Sequence, residues 1–160
     1  MKQLNNFIQE KLKLNKNIEI NKYTCQPKDS TELHKILKER LGKDKNADLN
    51  DIDVSQIKEL GLCFSGGLFE SLDPHNIDIS RWDVSNVISL AQMFYDCSNL
   101  NCDLSDWDVS NVENMDYMFR GCKKFEGNGL NNWNIRSLKS MDFMFDNCES
   151  LKNKPSWYKE

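Results

Sequence analysis

Cys97, Cys122 and Cys148 follow one another at intervals of 25 and 26 residues. Thiolates ligate metals and attack carbonyls, so a recurring cysteine raises both chemistries. Neighbouring copies of a short repeat lie about 5 Å apart when their backbones pair. Three thiols in a line at that spacing do not make a tetrahedron, and no histidine joins the series. No C-x-x-C pair occurs among the six cysteines, which also include Cys25, Cys63 and Cys102. The expectation is therefore six free thiols packed as small hydrophobes, with no metal and no cofactor. The two histidines are His34 and His75. Cys63 with His75 has the composition of a nucleophile and base. Cys63, however, falls in a repeat position that should be buried. Neither a nucleophile elbow nor a phosphate-cradling glycine loop occurs, and no enzyme activity is expected.

The carboxylates form a second pattern. Asp48 lies between Ala47 and Leu49, Asp78 between Ile77 and Ile79, and Asp103 between Cys102 and Leu104; Gly129 breaks the series. Alternation of this kind turns the aspartates outward along one face. Together with Asp51 and Asp106 they are the candidate partner-binding residues. The alternative is that the aspartates are soluble filler or bond local backbone. That second role is the expectation for Asp53, Asp83 and Asp108, each followed two residues on by Ser55, Ser85 or Ser110.

The element that must position these groups is a repeat. "WDVSNV" occurs at Trp82–Val87 and again at Trp107–Val112. Aligned on Trp82, Trp107 and Trp133, three units carry apolar residues at matching offsets. The first has Val84, Val87, Leu90, Met93, Phe94, Cys97 and Leu100. The second has Val109, Val112, Met115, Met118, Phe119, Cys122 and Phe125. The third has Ile135, Leu138, Met141, Met144, Phe145, Cys148 and Leu151. An earlier unit, "NADLNDIDVSQI" from Asn46, shares seven of twelve residues with "NCDLSDWDVSNV", and "SGGLFESLDPH" takes up the longer step that follows it. Each unit shows one short alternating stretch, then apolar residues at spacings of three and four, which reads as a helix. "SNVE" (Ser110–Glu113) has the form of a capping box for it. The tryptophans are expected to stack along one edge with each indole N–H on a carbonyl; an exposed aromatic platform is the alternative.

Here "LSDWDVSNVENMDYMFRGCKKF" resembles the repeat of the BspA-like leucine-rich-repeat proteins, found in bacterial surface proteins, mycoplasmas and some phages. The resemblance rests on the W-D-x-S-N-V block, the M-F pair and the cysteine three residues after the phenylalanine, and it covers about Asn46–Leu151. It implies an α/β repeat fold, a short leucine-rich-repeat solenoid of about four coils over residues 46–160.

Residues 1–45 read as an N-terminal α+β cap, because a repeat stack exposes its core at its end. Leu4, Phe7, Ile8 and Leu12 make a helical face, and "NIEINKY" alternates like a strand. Asp29–Glu32 offers a capping box for a helix with Leu33, Ile36, Leu37 and Leu41, closed by Gly42. Pro155, Trp157 and Tyr158 are expected to close the other end.

Charge narrows the function. Residues 1–75 hold 12 acidic and 12 basic side chains, and residues 76–160 hold 13 and 9. The repeated half thus carries the whole net charge of −4. Such a surface repels a phosphate backbone, so a protein partner with a basic surface is expected, with no direct nucleic acid and no membrane. No signal peptide and no stretch of roughly 20 apolar residues is present, which points to the cytoplasm. The leading expectation is a non-catalytic interaction module that binds through its acidic strand face. An inhibitor, phage-encoded or of immunity type, covering the basic groove of a nucleic-acid enzyme is the alternative. A surface adhesin comes third.

Overall fold

Asp29 opens the one α-helix seen in the computed structural model, which describes residues 23–65, 74 and 77–159. Its carboxylate accepts the Glu32 N–H at 2.9 Å, while Glu32 reaches back to the Lys28 N–H. This reciprocal cap starts helix α1, Ser30–Lys43. The helix runs through Gly42 and stops at Asp44, one turn position later than the sequence suggests. Leu33, Leu37 and Leu41 repeat every four residues and are buried against the repeats. The expected helical face at residues 4–12 lies outside the described residues, as do most of "NIEINKY" and of "SGGLFESLDPH".

The α/β leucine-rich-repeat solenoid does not form. Among the described residues α1 is the only α-helix, Leu130–Asn132 is a single 3-10 turn, and there is no strand. Successive units meet through isolated parallel bridges, Asp48 with Asp78, Glu59 with Ser89, Ser89 with Asn114, and Asn114 with Ser140. The helix expected after "SNVE" is absent for a local reason. Leu62, Gln92, Tyr117 and Phe143 share the slot before the Met or Cys63 position, and all have φ between 54° and 62°. Asp96, Gly121 and Asn147 share a second slot four residues on, with φ of 57°, 78° and 58°. An α-helix needs an unbroken run of right-handed residues, and one left-handed residue ends it.

What replaces the helix is a chain of tight turns. Trp82 N–H bonds Ile79 O, Val87 bonds Val84, Met93 bonds Leu90, Cys97 bonds Phe94 and Leu100 bonds Cys97, all three residues apart. The apolar spacing of three therefore marks turns whose end residues point inward. N–H groups at alternate positions between these turns reach the next unit. Leu90, Gln92, Phe94 and Asp96 donate to Asn114, Asp116, Met118 and Arg120 carbonyls at 2.7–2.9 Å. Met115, Tyr117, Phe119 and Gly121 repeat this onto Ser140, Asp142, Met144 and Asp146.

The verbatim "WDVSNV" now has a reason at each position. The Trp107 indole donates to Ile79 O, and Asp108 accepts the Ser110 N–H. Asn111 donates its side-chain amide to Ser85 O in the unit before. Val109 and Val112 are buried and close one turn between them. Trp82, Asp83, Ser85 and Asn86 do the same one unit earlier. A residue that must meet its own copy is constrained to recur.

Inside, the phenylalanines form a column. Phe64, Phe94, Phe119 and Phe145 stack in sequence at 5.4, 5.5 and 5.7 Å between ring centroids. Beside them Cys97, Cys122 and Cys148 donate their thiols to Phe64, Phe94 and Phe119 carbonyls.

Candidate functional site

The outer edge of the stack is organised by tryptophan. Indole N–H groups of Trp82, Trp107, Trp133 and Trp157 reach Leu49, Ile79, Leu104 and Leu130 carbonyls at 2.7–3.0 Å. Each indole thus finds a carbonyl as expected; the first three rings are buried and offer no aromatic platform, and the one tryptophan stack among the described residues is Trp133 on Trp157. These bonds fix the extended stretches 47–50, 77–80 and 102–105 side by side. Leu49, Ile79 and Leu104 then face the core, while Asp48, Asp78 and Asp103 are exposed. Asp48 and Asp78 are directly paired: Leu49 N–H donates to Asp78 O and Asp78 N–H to Ala47 O.

Each carboxylate also serves its own turn. Asp48 accepts the Asn50 N–H, Asp78 the Ser80 N–H and hydroxyl, and Asp103 the Ser105 N–H. Asp53, Asp83 and Asp108 likewise accept from Ser55, Ser85 and Ser110, as their spacing suggested. The local role and the exposed charge therefore coexist. The Asn50 amide beside it, then the Ser80 hydroxyl and N–H, hold the Asp78 carboxyl below the usual range. Asn50 Nδ2 is buried and makes no hydrogen bond of good geometry. The Ser105 N–H and hydroxyl lower Asp103 against the opposing charge of Asp78. Donors thus outweigh like-charge repulsion, and both carboxylates are ionised at neutral pH.

The other two candidates diverge. Asp51 is engaged: Arg40 of α1 grips it, Nη2 to Oδ2 at 2.9 Å, and the Thr24 hydroxyl donates to it. Asp106 is exposed and has no ion-pair partner among the described residues. Arg81 occupies the matching slot between them and comes within 3.9 Å of Asp48, which lightens the charge there. The column stops at Gly129 for a steric reason. Its φ is 82°, and a Cβ there would stand 2.4 Å from the Ser105 Cβ.

Of the catalytic composition only Cys63 lies among the described residues. Cys63 is fully buried and burial pushes its thiol up to about 12, while His75 lies outside the described residues. A protonated buried thiol is a poor nucleophile. His34 meets the Leu62 carbonyl through Nε2 at 3.1 Å.

A cluster of half-buried tyrosines with the exposed Phe143 was not expected. Arg120 lies over the rings of Tyr95 and Tyr117, and Tyr117 stacks on Phe143 at 5.3 Å. Tyr117 and Phe143 share the left-handed slot, which turns them away from the core; the recurrence was visible, its backbone sign was not.

Among the described residues no helix is long and apolar enough to cross a membrane. Residues 31–158 match the family described as "Mycoplasma protein of unknown function, DUF285", and the chain belongs to that family. No curated protein matches the chain, and no solved structure matches it.

Proposed function

We propose that this member of the DUF285 family is a non-catalytic interaction module whose acidic edge docks a basic surface of a partner protein. The observation that carries the reading is the Asp48–Asp78–Asp103 column, exposed, backbone-anchored and, at its two later members, held ionised. Asp83, Asp106 and Asp108 are exposed as well. Fixed carboxylates lose little side-chain entropy on binding and favour a cationic partner over a phosphate backbone. The resemblance of the repeat to BspA-like proteins supports kinship of the unit and adds no partner.

The test is a charge-neutral edge. Asn keeps an oxygen that accepts the Ser N–H, so Asp78→Asn with Asp103→Asn and Asp106→Asn should shift stability by only about 0.5–1 kcal/mol. The native chain, immobilised, should retain a basic protein from host lysate that elutes with salt, and the triple variant should not. Should the partner be a nucleic-acid enzyme, the chain would inhibit it and nucleic acid would compete. Equal capture by the variant would sink the reading.

A further inference from the structure

The two inner junctions described above each use four N–H donors at alternate positions of the earlier unit and four carbonyls of the later one. In the last unit those donor slots are Met141, Phe143, Phe145 and Asn147. None of their N–H groups has a hydrogen-bond acceptor among the described residues. The apolar slots change in step. Val84, Val87 and Leu90, and likewise Val109, Val112 and Met115, are buried, whereas Ile135, Leu138 and Met141 are only half-buried. Phe143 is 53% exposed. The tryptophan side of the same unit is covered, because Trp157 stacks on Trp133 at 6.2 Å and Tyr158 meets Phe145 edge-on. The turn side is left as an open depression of about 620 Å³, floored by Leu138, Met141 and Phe143 and rimmed by Lys139, Lys154 and Lys159.

We propose that this end face is a second docking site, separate from the acidic edge, and that it takes an extended segment of a partner protein by backbone pairing. Four N–H groups present the positive ends of their dipoles; at the rim beside Asp142 and Asp146 stand Lys154, over the Tyr158 ring, and Lys159, while Lys139 is paired with Glu113 at 2.7 Å. The complementary surface is a row of carbonyl oxygens at alternate residues with apolar side chains between them and acidic flanks. A second copy of the chain does not supply it. Two such ends facing each other set donors against donors. A head-to-tail arrangement needs the opposite side of the first unit, where α1 lies with its leucines in the core and His34 on the Leu62 carbonyl.

The probe is a synthetic peptide of residues 82–100, in reducing buffer. In the intact chain its Ser89, Ala91 and Met93 carbonyls accept from Leu60, Leu62 and Phe64 N–H groups. It carries Asp83 and Asp96 and no basic residue. Added to the 15N-labelled 160-residue chain, it should shift the amide signals of residues 141, 143, 145 and 147 and slow their hydrogen exchange at least tenfold. Leu138→Asp should abolish the shifts. Lys159→Glu, at an exposed position on the same rim, should weaken binding at least threefold with an unchanged urea midpoint, which separates lost docking from lost folding. A scrambled peptide should give no shifts. Four results each overturn the proposal: no shift at millimolar peptide, shifts centred on Asp78 and Asp103, equal shifts from the scrambled peptide, or a doubled mass without peptide. The last would assign the face to a second copy.

Discussion

The rings of Phe119 and Phe145, from adjacent units, lie 5.7 Å apart with planes inclined by only 4°. Phe94 covers the other face of Phe119 at 5.5 Å, and Phe125 sits at 4.2 Å. A ring held on both sides by its own counterparts is a junction between three units. Its loss opens two interfaces together.

Phe119→Ala is therefore expected to destabilise the chain by about 3–5 kcal/mol, the usual cost of removing a buried ring. Urea unfolding followed by tryptophan fluorescence measures it. An unchanged midpoint would mean that the repeat register is wrong.

The thiols make a second prediction. Burial pushes Cys63, Cys102 and Cys148 up to about 12 and raises Cys122 well above its usual value. Cys97 and Cys122 also donate to buried carbonyls. Thiolate, the reactive form, is thus scarce in the folded chain. At pH 8 an aromatic disulfide reagent should titrate at most the half-buried Cys25 quickly in the native state, and all six thiols in urea. Rapid reaction of Cys97 or Cys122 in the native state would contradict the packing.

The third prediction concerns pH. Arg40, by hydrogen bond, is the main cause holding the Asp51 carboxyl below its usual value; each side chain is 31% exposed. A lowered folded pKa gives stability that is complete above the ordinary carboxylate range and disappears as pH falls through the folded value. For this partly exposed two-pronged pair the contribution is about 1 kcal/mol. Asp51→Asn should thus be less stable than the native chain at pH 7, and the gap should close below about pH 4. A gap that persists at pH 2 would mean that Arg40 and Asp51 are not paired.

The repeat register could be read directly, because an apolar slot that recurs at fixed offset must meet its own copy. Burial of Phe119 and Cys63 followed from that alone. The secondary structure could not. Spacing of three reports which residues point inward but carries no information on the sign of φ at Gln92 or Tyr117, and that sign separates a helix from a chain of turns. Pairing also involves single residues such as Ser89 and Asn114, too few for strands. At the acidic edge, alternation revealed the outward turn of Asp48, Asp78 and Asp103. Arg40 on Asp51 and Arg81 near Asp48 are meetings between distant segments, which local pattern does not encode. Gly129 was seen as a gap in the column; only its contact with Ser105 explains the gap.

The hydrogen bonds between units run along the direction in which the units stack, and this gives the chain a mechanical character. Tension applied along that direction loads one junction's few bonds at a time, since among the described residues of the repeats no strand or α-helix carries force past the next unit. Extension would proceed by peeling whole units from the end opposite α1. Each would release about 25 residues, or roughly 85 Å of contour length at the reach of an extended backbone. Such a chain yields in small steps under modest load, where a sheet sheared along its strands would resist and then fail at once.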